Sequence, residues 1–139
     1  MKEIKQFIAA KGFINYQGKI LIIRESKNYQ DGSNFGDYDV PGGRIPTGQN
    51  FQESLIREIK EETDLNIDVK KPFFVNEWKI EKQTEIWQVI AVYFKCEAKN
   101  NAMTLSQDHD DFKWINAKDY NQFTLNGGLK NVFKAYLNE

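Results

Sequence analysis

A run of glutamates inside an apolar helical pattern constrains this chain more than any other feature. In the stretch PGGRIPTGQNFQESLIREIKEETDL, from Pro41 to Leu65, the acids Glu58, Glu61 and Glu62 follow one another closely. If the segment after Asn50 is a helix, these acids lie at i, i+3 and i+4, and their carboxylates share one face. Like charges at this spacing repel each other, so we expect a cationic group beside them to offset the repulsion. A cluster of oxygen ligands favours a hard divalent ion, Mg²⁺ before Zn²⁺.

The surrounding residues favour such a helix, packed against a core. Asn50 is a good N-cap, and Glu53 three residues later completes a capping-box pair. Turn-forming residues precede the cap, and the predicted helix covers about Phe51 to Thr63. Apolar side chains that form a stripe beside the carboxylates are Leu55, Ile56 and Ile59. A solvated acidic face with no function is the alternative interpretation of the glutamates, and this apolar stripe argues against it.

The same residues resemble the signature of the Nudix hydrolase family. The Nudix box reads G, five residues, E, seven residues, then R-E-(apolar)-x-E-E-x-G-(apolar). Gly43 fits the first glycine and Leu65 fits the last apolar position. The residues that fit the charged core of the box are Arg57, Glu58, Ile59, Glu61 and Glu62.

Two positions depart from the box. Gln49 stands where the box has glutamate, so it can hydrogen-bond but cannot neutralise a metal ion or act as a base. Asp64 stands where the box has its second glycine. That glycine ends the helix with a positive φ, a conformation that aspartate adopts at modest cost. The three-glutamate cluster is untouched by either change.

The resemblance implies a metal-dependent hydrolase that cleaves the diphosphate linkage of a nucleoside diphosphate derivative, such as a nucleoside triphosphate or a nucleotide sugar. It implies that Glu58 and Glu62 are direct ligands of Mg²⁺, with Mn²⁺ as a possible substitute. Glu61 is then either a third ligand or the base for the attacking water, and a carbonyl of the turn at Gly42 is a further ligand. Arg57, four residues before Glu61, is expected to hold a carboxylate in place, although an ordinary helix ion pair would explain it equally well.

Some Nudix enzymes take their general base from a later loop, outside the box. Here residues 107–111 (QDHDD) are predicted to form an acidic loop before a strand that begins at Phe112. The loop contains the only histidine of the chain, so His109 and Asp110 are the candidates for a base or an extra metal contact. A solvated acidic loop without function is the competing interpretation.

Aromatic and basic residues near the box are candidates for binding the rest of the substrate. Ring faces can stack on a nucleobase, so we expect Tyr38 and Phe35, which flank the loop before the box, to contact it. Tyr29 belongs to the same group. Trp78 and Trp87 lie on predicted strands, where aromatic side chains are more often part of the core. Arg24 is a candidate for binding phosphate.

The composition predicts one globular domain over residues 1–139. The net charge of −1 gives no reason to expect a nucleic-acid or membrane surface, and no apolar run is long enough for a membrane span. Cys96 is the only cysteine and cannot form an internal disulfide, which favours a cytoplasmic protein. The expected partner is a small nucleotide substrate, and a homodimer is possible.

Hydrophobic periodicity predicts a β-rich chain with one helix after the box loop and one at the end. The predicted strands are Lys5 to Asn15, Lys19 to Arg24, Tyr38 to Val40, Asn66 to Val69, Phe73 to Ile80, Glu85 to Ala98, and Phe112 to Ile115. Other predicted features are turns at 16–18 and 79–84, a polar loop over 26–37, a helical turn over 117–122, and a C-terminal helix from Leu129 to Leu137. This order indicates an α/β fold, an α/β/α sandwich with a mixed β-sheet, which is the Nudix arrangement.

Two rival functions remain open at this point. A catalytically weak Nudix-fold module that binds a nucleotide or has a regulatory role would explain the departures at Gln49 and Asp64. A structural Ca²⁺ site is less well supported, because the spacing does not match an EF-hand loop and a regular helix offers too few ligands.

Overall fold

The computed structural model describes residues 1–26 and 36–139. In chain order, the strands are β1 (Glu3–Tyr16), β2 (Lys19–Glu25), β3 (Tyr38–Asp39), β4 (Gly42–Arg44), β5 (Ile67–Glu81), β6 (Glu85–Ala98) and β7 (His109–Ile115). The helices are α1 (Phe51–Thr63), between β4 and β5, and α2 (Leu129–Leu137), after β7, and a 3-10 helix covers Ala117–Gln122.

The sheet is built around β1. It pairs in parallel with β6 over most of its length, from Glu3↔Glu85 to Asn15↔Glu97, and antiparallel with β2 and β4. The order along the main path is β3-β2-β1-β6-β5, while β4 pairs with β1 and β7 pairs with β2. Gln17 and Gly18 both have positive φ in the turn between β1 and β2, which is the conformation of a tight hairpin turn. Parallel and antiparallel pairs therefore coexist, as the prediction of a mixed sheet required.

Each face of the sheet is covered by one helix. On one face, Leu55 and Ile59 of α1 pack against a cluster that includes Ile14 and Cys96. On the other face, Val132 and Phe133 of α2 pack against a cluster whose members include Phe13, Tyr93 and Val89. The α/β/α sandwich is thus confirmed, and its long apolar runs reflect a sheet that is covered on both sides.

Helix α1 begins and ends where the sequence predicted. The Asn50 side chain accepts a hydrogen bond from the Glu53 N–H at 3.0 Å, so the N-cap is confirmed. Asp64 adopts φ 65° and its N–H donates to the carbonyl of Lys60, which confirms that aspartate can end this helix in place of glycine. The predicted apolar stripe is correct for Leu55 and Ile59 but wrong for Ile56, which is 40% exposed.

Strand β4 is absent from the prediction, which treated Pro41 to Gly48 as a loop. Its pairing with β1 places Gly42 opposite Lys11 and Gly43 opposite Ala10. Gly42 has φ 132°, and a Cβ atom there would lie 2.2 Å from the carbonyl oxygen of Ala10. Two glycines give no apolar alternation, so this strand carried no recognisable sequence pattern.

Several predicted boundaries need correction. Strand β5 is continuous, and the predicted gap before Phe73 is a pair of bulges around Pro72. The turn after it starts at Lys82 rather than Lys79. The acidic loop was predicted to end at Asp111, yet β7 already begins at His109, because its pairing with β2 extends to Glu25 across a bulge. Residues 27–35 of the predicted polar loop lie outside the described residues.

None of the helices in the described ranges has the length and apolar character that crossing a membrane requires.

Cys96 illustrates how closely the core packs around a titratable group. It is 1% exposed, and burial raises the pKa of its thiol to about 12. We therefore expect a thiol reagent such as DTNB to leave the native protein unmodified at pH 8 and to modify it fully in denaturant. The absorbance of the released thiolate measures both. Rapid modification of native protein at the rate of a free thiol would contradict the burial of Cys96.

Candidate active site

An open cleft of about 720 Å³ is lined by residues of α1, β4, β1 and the strands beside them. Its lining is strongly acidic. Seven acidic side chains lie among the described residues that line it: Glu25, Asp37, Asp39, Glu58, Glu61, Glu62 and Asp108. In the same described lining, the only lysine or arginine side chains are those of Lys11 and Arg44. An anion would be repelled from this cleft unless a cation entered with it.

Glu62 is the most enclosed of the three box carboxylates. Its side chain is 17% exposed, and its Oε1 accepts a hydrogen bond of 2.9 Å from the N–H of Gly42. Burial raises the pKa of Glu62 to about 8, against the smaller opposing effects of Lys11 and of the Gly42 hydrogen bond. A carboxyl group held in this way keeps its proton at neutral pH unless a further positive charge comes close.

Glu58 lies beside the glycine turn. A Cβ atom on Gly43 would lie 3.4 Å from the carboxylate of Glu58. The carboxylate of Glu58 therefore lies close to the Gly43 backbone, on the side where any other residue would carry its side chain. Burial and the neighbouring charge of Glu61 raise the pKa of Glu58. The two half-buried acids, Glu58 and Glu62, therefore face the same turn from one side of α1.

Glu61 is placed differently. Its side chain is 62% exposed, and the nearest guanidinium nitrogen, Nε of Arg57, lies 3.9 Å from its Oε1. The predicted pairing of Arg57 with Glu61 is thus present, as a loose surface ion pair of the kind that contributes little to stability. Glu61 still lines the cleft together with Glu58 and Glu62, so the three acids share one helix face as expected.

The donor set fits a hard cation in its chemistry. Carboxylate oxygens on α1 beside a half-buried glycine turn, with a surplus of negative charge around them, suit Mg²⁺, which needs only one or two carboxylates when water and substrate oxygens complete its shell. In the part of the chain that the structure describes, no three His, Cys, Asp or Glu side chains are placed so that they could hold one metal ion. A cage of three glutamates stays a prediction. At Gly42, the structure shows the N–H engaged with Glu62, and a ligating carbonyl also stays a prediction.

Lys11 is a functional candidate that the sequence analysis missed. Its Nζ lies 3.3 Å from Oδ2 of Asp39, and its side chain is 13% exposed. Asp39 is fixed in turn by the side-chain amide of Asn126 at 2.9 Å and by the N–H of Val40 at 2.7 Å. The charge of Lys11 opposes the rise in the pKa of both Glu58 and Glu62, so it lies within electrostatic reach of both. The available signal was a lysine in the middle of an otherwise apolar strand, FIAAKGFI.

His109 reaches the cleft because the segment before β7 binds to the end of α1. The N–H of Ser106 donates to the carbonyl of Glu62 at 3.0 Å, and the N–H of Thr104 donates to that of Thr63 at 3.1 Å. Nδ1 of His109 then lies 3.3 Å from Oγ of Ser106, and Nε2 lies 3.7 Å from Oε2 of Glu62. Burial lowers the pKa of His109, which favours the neutral imidazole.

The other residues predicted to bind substrate do not meet at the cleft. Asp110 pairs with Arg24 at 2.7 Å, and neither residue lines the cavity. Tyr38 is buried in the core, its hydroxyl donates to the carboxylate of Asp111, and burial raises its pKa to about 12. Contact of these three residues with substrate therefore has no support from the geometry. Phe35 and Tyr29 lie outside the described residues.

Arg44 stacks on two aromatic rings, one of which lines the cleft. The guanidinium carbon of Arg44 lies 4.4 Å from the ring centre of Phe7 and 4.7 Å from that of Trp87, a cation–π arrangement. Phe7 and Arg44 line the cavity. Sequence reasoning had treated Trp87 as a core residue and had not considered Phe7 or Arg44.

Gln49, the first departure from the box, lies outside the cleft lining. Its side-chain oxygen accepts a hydrogen bond from the hydroxyl of Ser54 at 3.1 Å. The absent charge at this position is therefore replaced by a neutral hydrogen bond within the start of α1.

A family model described as the NUDIX domain matches residues 8–136. Among curated relatives, Nudix hydrolase 5 of Arabidopsis thaliana is 25% identical over 130 residues, which is 90% of this chain and 41% of that protein. The chain thus spans less than half the length of that relative. Nucleoside triphosphatase NudI of Escherichia fergusonii is 24% identical over 102 residues, covering 66% of this chain and 70% of that protein.

A solved structure of similar fold is the MutT protein from Methanosarcina mazei. It superposes with a TM-score of 0.77 at 24% sequence identity and covers 96% of this chain and 92% of its own. The order of strands and helices, the glutamate-bearing helix and the family model agree, and the chain belongs to the Nudix family.

Proposed function

We propose that this protein is a metal-dependent pyrophosphohydrolase that cleaves the diphosphate linkage of a nucleoside diphosphate derivative by attack of water on phosphorus. The observation that carries the proposal is the pair of half-buried carboxylates, Glu58 and Glu62, held against a glycine turn in a cleft with a large excess of acidic groups. Family membership supports hydrolase chemistry. The name of the Escherichia fergusonii relative points to nucleoside triphosphates as one substrate class to test.

Mg²⁺ is the proposed cofactor, with Mn²⁺ as a substitute. Glu58 and Glu62 would hold it, with Glu61 as a third ligand that reaches it directly or through water. The ion would neutralise the charge of the diphosphate and lower the pKa of a bound water. The raised pKa of Glu62 supports this proposal, because a buried acid that is costly to ionise alone becomes a good ligand once a cation is present.

The chain's own groups would orient the reactants. The Gly42 N–H fixes Oε1 of Glu62, leaving Oε2 toward His109. The ammonium group of Lys11, which lines the cleft, would attract a substrate phosphate. A neutral imidazole has one unprotonated ring nitrogen, so His109 is the proposed acceptor of a proton from the attacking water, and exposed Glu61 is the alternative base. The cleft, of about 720 Å³, is in the size range of small-molecule sites and has room for a nucleotide.

The proposal is tested by a panel of nucleoside triphosphates, nucleotide sugars and dinucleotides, with product identification in the presence and absence of Mg²⁺. We expect Mg²⁺-dependent release of a nucleoside monophosphate from at least one substrate. Glu62→Gln and Glu58→Gln should each reduce kcat by at least about a hundredfold while the Tm is kept, because each removes a charged ligand.

Glu53→Gln is the matched control, since Glu53 lies on the same helix but outside the cleft lining. It should retain full activity. Near-normal turnover by both cleft variants would disprove the metal-site assignment. A panel without hydrolysis, together with a nucleotide-dependent rise in Tm, would instead favour the binding or regulatory module.

The raised pKa of Glu62 predicts a pH-dependent stability in metal-free protein. The carboxyl titrates near 4.5 when unfolded and at about 8 when folded. The folded state therefore holds an extra proton between these values, so the stabilisation is complete below pH 4.5 and is lost as the pH rises through 8. Denaturant unfolding in EDTA should give a free energy that declines from pH 5 to 8.5, whereas Glu62→Gln should show a flatter profile. Identical profiles would refute the shift.

Lys11 is predicted to bind substrate rather than to stabilise the fold alone. Lys11→Met should raise KM and lower kcat/KM by about 10- to 100-fold, the value of a hydrogen bond to a charged group. Lys11→Arg, which keeps the charge, should recover part of the loss. Lys5→Met on the same strand is the control, because Lys5 pairs with Glu85 outside the cleft. A loss of thermal stability with unchanged kinetics would assign Lys11 a structural role only.

A further inference from the structure

Strand β5 is the terminal strand of the sheet on the side opposite β3. It is 15 residues long, and β6 covers only one of its edges. A long edge strand presents unpaired N–H and C=O groups, which favours pairing with another chain unless the edge is protected.

The two halves of β5 differ in this protection. The first half carries Lys70, Lys71 and Pro72 and two register shifts, which are devices that prevent edge pairing. The second half, Val75–Glu81, contains no proline and pairs with β6 without a register shift. It also exposes apolar surface: Val75 is 60% exposed and Trp78 is 36% exposed.

The backbone of the second half has donors directed away from β6. The N–H of Glu77 donates to the side-chain oxygen of its neighbour Asn76 at 2.9 Å, which indicates that this N–H faces the open edge. In an antiparallel ladder the direction of these groups alternates, so Val75, Lys79 and Glu81 have outward groups as well. Among the backbone hydrogen bonds that the described residues make outside the regular ladders, none involves residues 75–81 as donor or acceptor.

We infer that this half of β5 is an interface with a second copy of the same chain, paired antiparallel about a twofold axis at Trp78. In this register, Glu77 lies opposite the partner's Lys79, and Lys79 lies opposite the partner's Glu77. Two oppositely charged cross-strand pairs form, and the Trp78 side chains of the two copies are directly opposite each other. The residues with outward backbone groups also face each other, as a hydrogen-bonded ladder requires.

Other registers fit less well. An axis at Glu77 or at Lys79 would place like charges directly opposite each other, which is destabilising. An axis at Ile80 would place Lys79 opposite the partner's Glu81. Because the strand ends at Glu81, only three residues of each copy would then pair. The register about Trp78 uses all seven residues, Val75–Glu81. None of the seven lines the cleft, so pairing leaves the candidate active site open.

Sedimentation equilibrium of the full chain tests this inference. The wild type should form a dimer at concentrations up to hundreds of micromolar. Lys79→Glu and Glu77→Lys should each weaken the dimer by about tenfold or more, because both cross-strand pairs become repulsive. An equimolar mixture of the two variants should associate at least as tightly as the wild type, because an acidic strand then faces a basic one. A merely structural effect of either substitution would not produce this recovery.

Lys70→Glu on the protected half is the matched control and should leave the dimer dissociation constant unchanged. Any of three results would overturn the inference: a monomeric wild type over the whole range, equal weakening by Lys70→Glu, or failure of the mixture to associate while both variants keep the wild-type circular dichroism and Tm.

Discussion

The hydrogen bond from the Gly42 N–H to Glu62 links the sheet to the glutamate-bearing helix, and the geometry of the cleft depends on it. It requires β4 to lie against β1, which in turn requires a residue without a side chain at Gly42, because a Cβ atom would collide with the carbonyl of Ala10. The two glycines therefore let the β4 backbone lie close to β1, and in this position the Gly42 N–H can donate to the Glu62 carboxylate of α1.

The cost of burying charged carboxylates decides which ligands the cleft favours. Burial makes the charged forms of Glu58 and Glu62 costly, while Lys11 and the Gly42 N–H offset only part of that cost. The proposed Mg²⁺ would offset this cost, because a bound ion would replace the lost hydration of the acids. The segment at Ser106 adds His109 to the same group by binding to the last carbonyls of α1, so the helix end organises both the acids and the imidazole.

The sequence predicted helix α1 and its caps well because each end depends on residues that are neighbours in sequence. The Asn50 side chain caps the start, and Asp64 ends the helix in the left-handed backbone conformation. It predicted the sandwich because the order of the elements, with strands in the middle, one helix after the box loop and one at the end, is that of an α/β/α arrangement. Lys11 and Arg44 were missed since their roles depend on a strand pairing that two glycines conceal. Tyr38 was assigned to substrate because an aromatic residue near a loop gives no sign that its ring faces inward.

The parallel ladder between β1 and β6 has a consequence for synthesis of the protein. The first strand of the chain cannot complete its main pairing until β6, with Glu85 to Glu97, has left the ribosome. The β1–β2 hairpin can form early, but the centre of the sheet is closed by contacts between residues far apart in sequence, which slows folding. Until β6 is made, the apolar centre of β1 is uncovered. Chaperone binding to β1 then competes with the pairing of β1 and β6 in the nascent chain.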